Sequence, residues 1–165
     1  MRKSGNPSSH EPDREPRAQF AALPWRVGPV GEVEVLLITS RETHRWVIPK
    51  GWPIKGKSSS KSAAQEAFEE AGVQGKVGKK PFGGYAYDKR LKNGRLQRVR
   101  VAVFPLQVEN EAETYLELGQ REKLWLPPSE AARKVDEPEL MVLLATFHPD
   151  QPDGPKAKPP ANEPG

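Results

Sequence analysis

The chain has 165 residues, enough for one domain with a substantial core, and a formal net charge of +4 from 26 Lys and Arg against 22 Asp and Glu. The two signs are interspersed, which argues against a dedicated nucleic-acid binder with a basic stripe. There are no cysteines, so disulfides, thiolate catalysis and cysteine zinc sites are excluded, and His10, His44 and His148 show no metal-ligand spacing.

Residues 1–17 are polar, hold three prolines and lack hydrophobic periodicity, so they are expected to stay disordered. They contain no apolar segment of the kind a secretory signal needs. No apolar stretch anywhere approaches the roughly 18 residues of a membrane helix, so a soluble cytoplasmic protein without a membrane partner is expected. Residues 18–148 are expected to form the folded domain, and the proline-rich stretch 149–165 a second disordered segment.

Within the domain, Gln19 to Val27 is an apolar run interrupted by Pro24, expected as an edge strand because proline cannot donate to a sheet ladder. Gly28-Pro29 reads as a turn, and Glu32 to Thr39 is the strongest strand signal. Trp46 to Ile48 is a short strand ended by Pro49, and Lys50 to Lys57 reads as loop. Ser58, Ser59 and Ser60 offer capping hydroxyls for a helix running to about Ala71, where Gly72 stops it. Gly83 to Asp88 and Arg98 to Val108 form a predicted hairpin around the Asn93-Gly94 turn. A short strand at Lys123 to Leu126 precedes helices at Ser129 to Val135 and Glu137 to Phe147, broken near Asp136. That order predicts an α/β fold in which helices flank a mixed sheet.

The helix after Ser60 carries the chemistry. It sets Glu66, Glu69 and Glu70 at i, i+3 and i+4, gathering three carboxylates on one face. Like charges so close repel, and a divalent cation reverses that balance, because hard cations take oxygen ligands from a few carboxylates and substrate phosphates. A glycine-bearing loop from Gly51 leads into the helix, and basic residues surround both. Arg45, Lys50, Lys55, Lys57 and Lys61 flank the loop, while Arg98 and Arg100 share one face of the later hairpin. Such a field suits a small anionic polyphosphate through steering and direct hydrogen bonds. Trp46, Tyr85 and Tyr87 are expected as packing residues, whereas Trp52 is open between a loop anchor and a base-stacking platform.

Gly51 to Val73 resembles the Nudix box, G-x5-E-x7-R-E-U-x-E-E-x-G-U, matching at Gly51, Glu66, Glu69, Glu70, Gly72 and Val73, with Ala67 at the first aliphatic position. The Arg45-to-Pro53 stretch, and Trp125-Leu126 followed by a helix containing Glu130-Ala131-Ala132, look like the diphosphoinositol-polyphosphate and diadenosine-polyphosphate branch of that family. The resemblance implies the Nudix α/β/α sandwich and a metal-dependent hydrolase of phosphoanhydride bonds. It implies a site formed by Glu66, Glu69, Glu70 and the Gly51 carbonyl around Mg2+, with Mn2+ as an alternative. Glu69 and Glu70 are then the principal ligands, and Glu66 is either a ligand or the acceptor of a proton from water. Arg45, Lys50, Lys55, Lys57, Arg98 and Arg100 are the expected substrate contacts. Some family members recruit a further acid from a loop before the C-terminal helix, where Glu117 and Glu122 lie. Lys57 and Gln65 depart from the box, replacing its first Glu and its Arg and so removing an orienting ion pair. Two rival functions follow: a nucleotide-sanitising or RNA 5′-pyrophosphohydrolase of the same fold, and a catalytically quiet phospholigand sensor, which the two departures favour.

Overall fold

The computed structural model describes residues 15–149. The two segments expected to be disordered lie almost wholly outside these residues, although the first strand begins at Arg17.

Eight strands form one mixed sheet: β1 (Arg17–Val27), β2 (Val33–Thr39), β3 (Trp46–Val47), β4 (Lys50–Gly51), β5 (Val73–Val77), β6 (Gly83–Arg90), β7 (Leu96–Glu111) and β8 (Lys123–Leu126). The main path runs β3-β2-β1-β7-β5, with β4 beside β1, β6 beside β7 and β8 beside β2. β1 and β7 pair in parallel from Arg17–Val99 to Trp25–Gln107, and the other pairs are antiparallel. Helix α1 (Ser59–Ala71) covers one face, and α2 (Pro128–Ala132) with α3 (Pro138–Ala145) covers the other. The α/β/α sandwich expected from the element order is the one observed.

Strand alternation sorts the core into two layers. Ala21, Leu23, Val35, Leu37, Val99, Val101 and Val103 face α2 and α3, where they meet Ala131, Leu140, Leu144 and Phe147. Ala22, Leu36, Ile38, Phe104 and Leu106 face α1, whose Ala63, Ala67 and Ala71 are fully buried. Small side chains on that helix face bring its axis close to the sheet and fix the height of the glutamates beside them.

The expectation that Pro24 marks an edge strand is corrected: β1 lies at the sheet centre. Its pairing partner changes along one side, from β4 at Phe20 and Ala21 to β2 at Trp25 to Val27. Pro24 falls in the gap between them, where no partner needs its missing N–H. Pro105 does the same on β7, between the end of β6 pairing at Val103 and the start of β5 pairing at Leu106. The loop expected from Lys50 instead begins with a two-residue ladder, Phe20–Gly51 and Ala21–Lys50, which fastens the start of the site to the central strand. β5 had no signal of its own: its VQGKV sequence is mostly exposed, and its register with β7 shifts between Gln74 and Gly75.

Candidate active site

Helix α1 is placed by its ends. The Ser58 hydroxyl accepts the Lys61 amide at 3.3 Å, and Gly72 ends the helix at φ 74°, donating its amide to the Phe68 carbonyl. The Ile54 amide donates to the Ser62 hydroxyl at 3.2 Å, tying the preceding loop to the helix. Lys123 donates to the Ala71 carbonyl at 2.7 Å, supplying a cation where the helix dipole is negative.

On this helix the three glutamates divide. Glu66 and Glu70 lie within hydrogen-bonding reach of each other and line a cleft of about 360 Å³. Gly51 lies against Glu66 so closely that an added Cβ would overlap the carboxylate. Glu70 is buried, its Oε1 accepting the Lys50 amide at 3.3 Å and its Oε2 lying 3.8 Å from the Arg121 guanidinium. Burial pushes its carboxyl up to about 8, against the pull of Arg121. Burial, then repulsion from Glu69, also raises Glu66. Glu69 instead accepts a 2.8 Å hydrogen bond from Gln65 and lines the neighbouring groove with Lys57 and Lys61. The convergent pair is therefore Glu66 and Glu70, rather than the Glu69 and Glu70 favoured from sequence.

The loop before β8 also contributes to the cleft. Glu117 enters the cleft, held by Arg121 at 2.8 Å, while its amide donates to the Glu69 carbonyl at 2.9 Å. Glu122 is exposed, and its backbone pairs with Thr39. Lys50 lies on the cleft floor, its ammonium 5.1 Å from the Tyr87 ring centre, and enclosure pulls it down to about 8. Lys89, Arg41, Gln19, Ser40 and Glu42 add to the polar lining, and the sequence reading singled out none of them. They come from separate strands and loops that only the sheet order brings together.

The remaining expected contacts lie apart from that floor. Arg45 pairs with Asp136 at 3.3 Å and Glu137 at 3.2 Å, at the turn before α3. Lys55 and Lys57 are exposed on the loop ahead of α1. Arg98 pairs with Asp88 across the hairpin at 3.2 Å, and Arg100 is exposed on the same face of β7. The aromatic residues are accounted for by packing. Tyr85 is buried, the Tyr87 hydroxyl donates to Gln19 at 2.8 Å, and Trp52 packs on the core beneath the Arg17 guanidinium, 4.2 Å from its ring centre.

Among the described residues, no group of three or more His, Cys, Asp or Glu side chains is arranged to hold a metal ion. The donor set nevertheless fits a hard cation. Glu66 and Glu70 are two crowded carboxylates with raised proton affinity, and Glu66 lies against Gly51 with no side chain between them.

A solved structure of an Ap4A hydrolase from C. elegans superposes with a TM-score of 0.57 over 79% of this chain and 94% of that one, at 20% identity. The chain has the Nudix fold. No protein-family model matches it. Its sequence is similar to Nudix hydrolases: it is 32% identical to Nudix hydrolase 12, mitochondrial, of Arabidopsis thaliana over 105 residues, which are 62% of this chain and 52% of that protein. A 49-residue match reaches 45% identity with diphosphoinositol polyphosphate phosphohydrolase 3-beta of Bos taurus, covering 29% of this chain and 30% of that protein. The chain thus spans about half the length of the plant Nudix relative and less of the bovine one. In the Nudix frame, the cleft lies at the box helix, and the two departures from the box, Lys57 and Gln65, lie on the flank facing away from it. No helix among the described residues is long and apolar enough to cross a membrane.

Proposed function

We propose that this chain is a divalent-cation-dependent hydrolase of phosphoanhydride bonds, and that its substrate is a diphosphoinositol polyphosphate. The observation that carries the reading is the convergence of Glu66, which lies against Gly51, and Glu70, which accepts the Lys50 amide, in a cleft also lined by Lys50, Lys89, Arg41 and Arg121. Glu66, Glu70 and the Gly51 backbone are the groups that would hold Mg2+ or Mn2+. The cation would neutralise phosphate oxygens and make bound water more acidic. Lys50, Lys89 and Arg41 bind and orient the phosphate chain through charge-assisted hydrogen bonds. Glu66 either holds the cation or accepts a proton from the attacking water. Glu117, held by Arg121 at 2.8 Å, lines the same cleft as a second acceptor.

The aromatic residues favour an inositol over a nucleobase. Trp52 and Tyr87 are the aromatic side chains lining the cleft, and each has a cation over its ring, Arg17 and Lys50 respectively. A dinucleoside polyphosphate would have to displace one of these cations to stack its base. Phosphate release should be compared across diphosphoinositol polyphosphates, diadenosine polyphosphates, nucleoside triphosphates and 5′-triphosphate RNA, with Mg2+, Mn2+ and chelator. The expected kcat/KM favours the diphosphoinositol polyphosphate by roughly tenfold or more, the ratio set by about 1.4 kcal/mol. A preference for diadenosine polyphosphate would contradict the aromatic argument. Ligand binding without any phosphate release would favour the sensor reading.

A further inference from the structure

The box helix holds three glutamates, yet it has no basic residue in its last turn, and Gln65 meets Glu69 with a neutral amide. The side-chain cation nearest Glu70 comes from outside the helix. Arg121, in the loop between β7 and β8, is 10% exposed at its side chain and spends its guanidinium in three directions. Its Nε donates to Glu117 Oε1 at 2.8 Å, its Nη1 to the Thr39 carbonyl at 3.0 Å, and its Nη2 lies 3.8 Å from Glu70 Oε2. Thr39 ends β2, Glu70 is on α1, and Glu117 is on the loop itself. One planar fork thus joins a fixed point of the sheet to two carboxylates of the cleft, one on the helix and one on the loop.

Leu116 and Leu118 are 70% and 50% exposed, so apolar burial does not anchor the loop's tip. The two ends of the loop are fastened by backbone, the Ala112 amide to the Gly72 carbonyl at 2.7 Å and Glu122 to Thr39. Between them, the Glu117 amide meets the Glu69 carbonyl at 2.9 Å, Tyr115 packs against Gly72, and Arg41 reaches Gln120 at 2.9 Å and Glu117 at 3.9 Å. Arg121 is the side chain that ties this middle stretch to the end of β2. Without Arg121, Glu117 would keep only its longer 3.9 Å contact to Arg41 among its ion pairs, and the link from the loop to the Thr39 carbonyl would be lost.

We propose that Arg121 is a positioning residue that clamps the 112–122 loop against the sheet end and so fixes the placement of Glu117 and Glu70 in the cleft. Its effect on turnover rests on the hydrolase reading above, but its effect on the loop does not. Lysine keeps the charge but lacks the planar fork, so it cannot meet Thr39, Glu117 and Glu70 together.

The test uses Arg121→Gln and Arg121→Lys in the full chain, with two readouts. Amide hydrogen exchange, measured without metal or substrate, should quicken roughly tenfold or more at Glu117 and its loop neighbours in both variants, while β1 and β7 are unchanged. In steady-state hydrolysis, kcat should fall roughly tenfold or more with KM within about twofold, and Arg121→Lys should recover only part of it. Unchanged exchange in the loop would overturn the proposal. So would a raised KM at unchanged kcat, which would make Arg121 a direct phosphate ligand. If Arg121→Gln does not fold, Arg121→Lys carries the same comparison. If the wild-type chain hydrolyses nothing on the panel, the exchange result decides the clamp by itself while the hydrolase reading fails separately.

Discussion

Glu70 is the residue at which the fold and the proposed chemistry pull against each other. It is 8% exposed, and burial raises its carboxyl from an ordinary value of 4.5 to about 8. Between those two values the folded state holds a proton that the unfolded chain has released, so stability is lost as pH rises across the window. Lys50 acts in the opposite sense at higher pH. Its ammonium is pulled from 10.5 to about 8, so the cost of burying it is relieved as pH climbs through that range. Thermal melts of the metal-free protein at about pH 5.5 and pH 7.5 isolate the carboxyl. Wild type should lose several degrees relative to Glu70→Gln on going to the higher pH, since about 1 kcal/mol moves the melting point of such a domain by roughly 2–4 °C. Parallel behaviour of the two proteins would show that Glu70 keeps an ordinary titration. The spacing of Glu66, Glu69 and Glu70 made the acidic face legible in the sequence. It could not show that Gln65, four residues ahead of Glu69, would draw that carboxylate out of the cleft.

At the scale of elements, the site depends on how closely α1 approaches the sheet. Ala63, Ala67 and Ala71 are fully buried against Leu36, Ile38, Phe104 and Val73, and Glu66 and Glu70 are carried beside them. Ala67→Leu adds three carbons where none fit, and should cost about 1–3 kcal/mol by urea unfolding. Hydrolysis should fall by more than the loss of folded protein explains, because the helix must lift to admit the side chain. Full specific activity in the folded fraction would show that the helix height does not set the site. Helix α1 was readable because its cap, alanine face and terminal glycine all agree with one another. β1 was misplaced at an edge because a proline rule ignores partner changes along a strand. β5 was missed because its five residues hold too little apolar alternation, and pairing with β7 forms it. Arg121 was invisible as a site residue because nothing near it in sequence points to the helix it serves.

For the molecule as a whole, one sheet assembles the cleft from distant pieces of chain. β4 fixes Gly51 to the central strand, α1 brings the paired glutamates over it, β6 brings Tyr87 and Lys89, and the loop before β8 returns Glu117 and Arg121. The modest net charge of +4 understates the local field, because several cations line one cleft beside its carboxylates. Fold and helix were therefore legible from local pattern, whereas the contribution of Glu117 and Arg121 to the cleft needed the topology. The most direct test of the central claim is phosphate release from a diphosphoinositol polyphosphate by wild type and Glu70→Gln, each with Mg2+ and with chelator. Wild type should release phosphate only with the cation, and Glu70→Gln should lose roughly 10²-fold or more of that rate while keeping its fold by circular dichroism. Undiminished release by the variant, or by wild type in chelator, would contradict the site described.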